Sequence, residues 1–144
     1  MNTDLQDLGR RLVGRWATEA IHPAVPDMVI TGSSQVEWLA GERFLLYRTH
    51  YDHPDFPDAH SIIGDTDGLR LHYFDARGVY RLFEVTVAAH GWAIAMGLHG
   101  DPPFAQRVTY AFERADRAMS GQGQLSYDGM NWNDDLKVTY RRVR

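Results

Sequence analysis

The chain contains no cysteine, which excludes disulfides, thiol nucleophiles and cysteine-ligated metals. Lysine occurs once, at Lys137, and every other basic residue except the histidines is arginine. Schiff-base chemistry is therefore confined to Lys137, which lies in a strongly alternating segment where a solvated side chain is expected. No apolar run approaches the ~20 residues that a membrane-spanning helix needs. The opening MNTDLQDLGRRLVGRW lacks a basic start followed by an apolar stretch, so it does not read as a signal peptide. Excess positive charge is missing too: the formal net charge of −4 argues against a nucleic-acid partner. These absences suggest a cytoplasmic protein with neither membrane nor nucleic acid as partner.

The length of 144 residues, with 44% apolar side chains, suits one domain (1–144) around one core. Residues 3–13 place Leu5, Leu8 and Leu12 at helical spacing, with Thr3 or Asp4 as N-cap, although Gly9 weakens the pattern. After that, turn signals recur about every ten residues. Between them lie ten segments rich in β-branched and aromatic residues, at 14–22, 29–39, 43–51, 59–64, 69–75, 79–88, 91–97, 104–113, 118–127 and 134–143. Short, evenly spaced strands with hairpin-length turns predict an all-β antiparallel up-and-down meander, closed as a barrel or stacked as a sandwich. In 104–113 and 134–142 one face is apolar and the other polar. In 69–87 both faces mix apolar and ionisable groups, as the wall of a barrel enclosing a partly polar cavity would.

Gly14-Arg15-Trp16 follows the predicted helix and opens the first strand. This Gly-x-Trp, with the ten-strand meander and an arginine-bearing last strand, resembles the lipocalin and fatty-acid-binding superfamily, the calycins. The resemblance implies a calycin-like barrel in which Trp16 plugs one end. It also implies an arginine of the last strand, taken as Arg141, stacked across that ring, a contact worth ~0.5–2 kcal/mol. The pattern is similar to that of small bacterial lipocalin-like proteins of unknown function. In the related nitrobindins, ten-stranded haem proteins, the motif runs Gly-x-Trp-x-Gly-x-Gly. Here Thr18 and Ala20 replace the two later glycines, and their side chains would obstruct the cofactor. No cofactor is expected.

Several residues are candidates for a site. In THYDHPDFPDAHS (49–61), His50, His53 and His60 accompany three aspartates. Three imidazoles can ligate zinc, but Pro54 and Pro57 break the segment and Asp-Phe-Pro-Asp is turn chemistry. The segment reads chiefly as a rim loop, with His50, Tyr51 and His60 near a pocket mouth. If the 76–78 turn closes a hairpin, residues summing to about 154 oppose each other. His72 and Glu84 are then diagonal neighbours on one face. Were that face internal, they would form a general base with its orienting partner. Arg81 lies on the opposite face beside Tyr73 and Phe83, where it could hold a ligand carboxylate, so the two hypotheses compete. His22 shares a face with Trp16 near the open end. Gln106 and Tyr110 lie on the apolar face of their strand, and Trp132 could cap the barrel. His90 and His99 lie in turns and read as solvated. No nucleophile elbow, phosphate-binding glycine loop, zinc-protease motif or dinucleotide fingerprint is present.

The sequence thus leads first to binding of a small, mostly hydrophobic molecule in a central cavity, through His22, Tyr51, His60, His72, Arg81, Gln106, Tyr110 and Trp132. The second reading is a cofactor-free enzyme using an interior His/Glu/Tyr set for isomerisation, cyclisation or hydrolysis. Haem or metal binding comes third. Monomer and homodimer both stay open.

Overall fold

The computed structural model describes residues 2–143. Its elements are α1 (Thr3–Leu12) followed by β1 (Gly14–Ile21), β2 (Ile30–Trp38), β3 (Phe44–Tyr51), β4 (Ala59–Asp65), β5 (Leu69–Asp75), β6 (Tyr80–Ala88), β7 (Gly91–His99), β8 (Phe104–Glu113), β9 (Ala118–Ser126) and β10 (Asn133–Val143). Each strand pairs antiparallel with its sequence neighbour, and β1 pairs with β10, closing the barrel. The predicted strands are all present, with ends shifted by a residue or two. Among the described residues no helix is long and apolar enough to cross a membrane.

The period of two along each strand divides the wall. Trp16, Thr18 and Ala20 of β1 are buried, while Arg15 and Glu19 on the other face are exposed and Ala17 is half-buried. The hairpin of β5 and β6 has the expected register, with Arg70 opposite Glu84, His72 opposite Leu82 and Tyr73 opposite Arg81. Leu71, Phe83 and Val85 are buried, so Tyr73 and Arg81 point inward with them. His72 and Glu84 therefore lie on the outer face.

The helix closes one end. Its N-cap is Asn2, whose side chain accepts from the Leu5 amide at 3.0 Å; the cap expected at Thr3 or Asp4 lies one or two residues too far along. Leu5, Leu8 and Leu12 are almost fully buried, each worth ~1.5–3 kcal/mol. Gly9, a poor helix residue, has a packing reason: a Cβ there would lie 2.0 Å from Trp38 Cζ2. The indole of Trp16 donates to the Leu12 carbonyl at 3.0 Å, fixing the helix end to the first strand.

The guanidinium over Trp16 belongs to Arg142, 4.1 Å from the ring centre, not to Arg141. Register explains the correction. Arg142 pairs with Trp16 across β1 and β10, so both point inward, whereas Arg141 pairs with Ala17 and is exposed. Arg142 also donates to the carbonyls of Val13 at 2.8 Å, Asp116 at 3.2 Å and Arg11. Gly14 makes room for it. Its φ of +135° suits only glycine, and a Cβ there would lie 2.7 Å from Arg142 Nη1.

Candidate functional site

At the other end the core gives way to a pocket of about 240 Å³. Phe56 and Pro57, from the connection between β3 and β4, and Arg77, from the turn between β5 and β6, place its mouth at the end opposite the helix. Its walls include Leu71, Phe83, Ile94, Val108 and Val138. Gly121 and Gly123, inside β9, keep the wall thin: a Cβ at Gly121 would lie 3.0 Å from Tyr110 Cε1.

The pocket's inner end is lined with hydroxyls. Tyr47 and Tyr140, both buried, bring their phenol oxygens to 3.2 Å, with Tyr47 donating. Tyr110 stacks on Trp92 with centroids 4.0 Å apart and leans against Tyr140. Ser34 and Thr49 hydroxyls meet at 3.5 Å nearby. Burial raises the pKa of Tyr47, Tyr110 and Tyr140 above the ordinary phenol value, so all three keep their hydroxyl protons well above neutral pH. Thr18 Oγ1, buried on the same inner face, has no hydrogen-bond partner.

The mouth carries charge. Arg81 donates to Gln106 Oε1 at 3.2 Å and lies 5.8 Å from the Tyr73 ring centre and 5.1 Å from that of Phe104. Beside it, Arg77 grips Asp75 at 2.7 Å, and the Tyr73 hydroxyl donates to the same carboxylate at 2.8 Å. These bonds, Arg77's above all, hold Asp75 well below the usual carboxylate range. Burial, reinforced by Asp75, pushes Tyr73 up to about 12. Tyr51, also lining the pocket, is raised by burial.

Of the residues singled out from sequence, Tyr51, Arg81, Gln106 and Tyr110 line this pocket together. His22 sits at its rim, just beyond β1, with Nε2 3.3 Å from Asp135, itself a lining residue. The others are elsewhere. His72 uses both ring nitrogens on the outer wall, Nε2 with the Thr66 hydroxyl and Nδ1 with the Tyr80 hydroxyl, each at 3.0 Å. Glu84 is exposed on that wall. The supposed interior base pair is thus external, because the hairpin turns Tyr73 and Arg81 inward instead. His60 is exposed on the outer face of β4, opposite Phe74. Trp132 lies 3.9 Å over the Arg107 guanidinium, which the alternation of β8 points outward, so Trp132 covers the outer wall rather than capping the barrel.

The 52–58 connection folds as the rim loop expected. Phe56 packs on Tyr51 (5.9 Å) and His53 (5.3 Å). His53 Nδ1 accepts from the Asp55 amide. His50 faces outward, held between Asp58 at 2.8 Å and Asp52 at 2.9 Å. Among the described residues no three His, Asp or Glu side chains converge as metal ligands. Among the described residues no histidine lines the pocket, and Thr18 and Ala20 project their side chains into the barrel, so these residues do not fit a haem held through histidine.

Three parts of the site were not singled out from sequence: the Tyr47–Tyr140 pair, the Tyr73–Asp75–Arg77 cluster, and Phe56. Tyr140 was visible on the apolar phase of its strand, whereas Tyr73 stood on one of two faces that the pattern left undecided. Tyr47 shares a face with Leu45 and Thr49. The Asp75–Arg77 pairing depends on a turn conformation that no pattern encodes.

No protein-family model matches the chain, and no curated protein does. Among solved structures it is similar to the crystal structure of Rv2717c from M. tuberculosis. The TM-score is 0.65 at 13% identity, over 100% of this chain and 99% of that one. At this identity the likeness shows the fold alone.

Proposed function

We propose that the protein binds a small, mostly apolar molecule in the lumen of its barrel, in the manner of the lipocalin-like proteins that Gly14-Arg15-Trp16 resembles. The observation that carries this reading is the pocket itself. It lies inside an otherwise packed barrel, has aliphatic and aromatic walls, and converges a few polar groups at its two ends. Solid packing at the helix end, with Trp16 at 1% exposure, supplies rigidity; the opposite end supplies access. Burying a small hydrocarbon against Leu71, Phe83, Ile94 and Val138 releases water from apolar surface at ~25 cal/mol per Å².

The reading is tested with 1,4-diethylbenzene as a neutral probe. Titration should shift the methyl resonances of Ile94, Val108 and Val138, and Val138→Phe, which fills the lumen, should abolish the shifts. Binding left intact by Val138→Phe, or shifts confined to the outer wall, would refute it.

A further inference from the structure

We infer that the natural ligand is a small acid bound lengthwise, its anionic group at Arg81 near the mouth and a hydrogen-bond acceptor at its other end on the phenol cluster. The inference rests on the pocket reading above and adds to it a ligand class and an orientation.

Arg81 is the first ground. Two arginines line the lumen. Arg77 is satisfied by Asp75. Among the described residues Arg81 has no carboxylate within ion-pair distance, and its one side-chain acceptor is the neutral amide oxygen of Gln106. A guanidinium carries five N–H donors in a planar fork. Here most of the fork is unused, one side braced by the Tyr73 and Phe104 rings. A partly desolvated guanidinium with spare donors calls for a carboxylate or similar planar anion, which would bond in bidentate fashion. The nearby acids do not compete: Asp75 is held by Arg77 and Tyr73, and Asp135 faces His22.

The inner end is the second ground. Tyr47, Tyr110 and Tyr140 bring three O–H donors into one buried cluster. Tyr47 donates to Tyr140. Among the described residues no carbonyl or carboxylate is hydrogen-bonded to any of the three, and all three line the pocket, so their hydroxyls can turn a proton toward a ligand. A ligand that shuts such a hydroxyl off from water without offering it an acceptor is disfavoured. A ligand carbonyl, ether or phenol oxygen placed there would satisfy it. Thr18, paired with Tyr140 across β1 and β10, carries the one buried side-chain oxygen without a partner among the described residues.

Size narrows the class. The 240 Å³ is smaller than the ~300–1,000 Å³ of drug-sized sites and is the space of roughly eight waters. That suits a single ring or a short chain better than a long fatty acyl tail.

Four probes of nearly equal shape separate the contributions: 4-acetylbenzoate, 4-ethylbenzoate, 4-ethylacetophenone and 1,4-diethylbenzene. Calorimetric or NMR titration should rank 4-acetylbenzoate first, with loss of either polar end weakening binding about tenfold. Arg81→Gln should erase the advantage of the two acids while leaving 4-ethylacetophenone and diethylbenzene unchanged. Tyr47→Phe/Tyr140→Phe should reduce the advantage of the two carbonyl probes. If diethylbenzene binds as tightly as 4-acetylbenzoate, the inference is overturned while the pocket reading stands. If none of the four binds, diethylbenzene included, both fall. If the acids win but the carbonyl adds nothing, the proposed orientation is wrong.

Discussion

The guanidinium of Arg142 lies 4.1 Å above the ring of Trp16 and hydrogen-bonds the carbonyls of Arg11, Val13 and Asp116, so one side chain ties the helix, the first strand and the β8–β9 turn together. Arg141, next in sequence, points to solvent. Arg142→Met should therefore destabilise the barrel by about 2 kcal/mol, losing the cation–π contact and three hydrogen bonds to exposed or half-buried carbonyls. Arg141→Met should stay within ~0.5 kcal/mol of wild type. Urea unfolding of the two variants checks the contrast; equal effects would contradict it.

Gly14→Ala should also destabilise, by ~1–3 kcal/mol, because alanine pays for φ of +135° and its methyl displaces Arg142. Much of that loss should vanish in the Arg142→Met background, where the crowded group is gone. Strict additivity of the two changes would show that Gly14 serves only its own backbone.

His72 and Glu84 lie outside, so substituting them should leave probe binding in the lumen untouched. His72→Ala removes bonds to Thr66 and Tyr80 and should cost ~1 kcal/mol; Glu84→Gln should change stability by less than ~0.5 kcal/mol. A change in diethylbenzene affinity with either variant would contradict this placement.

His50 carries a pH signature. Hydrogen bonds with Asp58 first and Asp52 second raise its pKa above the ordinary imidazole value. Arg48 and His60 share this outer groove, and Thr31 donates to Asp52 at 2.9 Å. Because the folded value is raised, the stabilisation is complete below about pH 6.5, the unfolded value, and is lost as pH rises through the folded one. Asp58→Asn should lower the His50 NMR titration midpoint. It should also narrow the stability gap to wild type at about pH 9 compared with about pH 6. An unmoved midpoint would refute the clasp.

Fold and site were legible to different depths in the sequence. Period-two alternation with regular turns was enough for ten strands and the β5–β6 register, because both follow from local geometry. The inward phase of that hairpin was not decidable. Leu71 and Phe83 alternate with Leu82 and Phe74, and only barrel closure settles which set is buried. The same limit gave Arg141 in place of Arg142: adjacent arginines differ in face by one residue, and pairing with β1 fixes the phase. Trp132 reads as a buried cap by type, yet a cation on the outer wall holds it outside. Tyr51, Arg81 and the β8 pair Gln106 and Tyr110 come from three strands and meet only through closure.

The central claim is that small apolar molecules lodge inside the barrel, between the phenol cluster and Arg81. Intermolecular NOEs from bound 1,4-diethylbenzene to a methyl-labelled sample measure this directly. The account predicts cross-peaks to Leu71, Ile94, Val108 and Val138 and none to Ile62 or Leu82 on the outer wall. Cross-peaks to Ile62 or Leu82, with the four lumen residues silent, would contradict it.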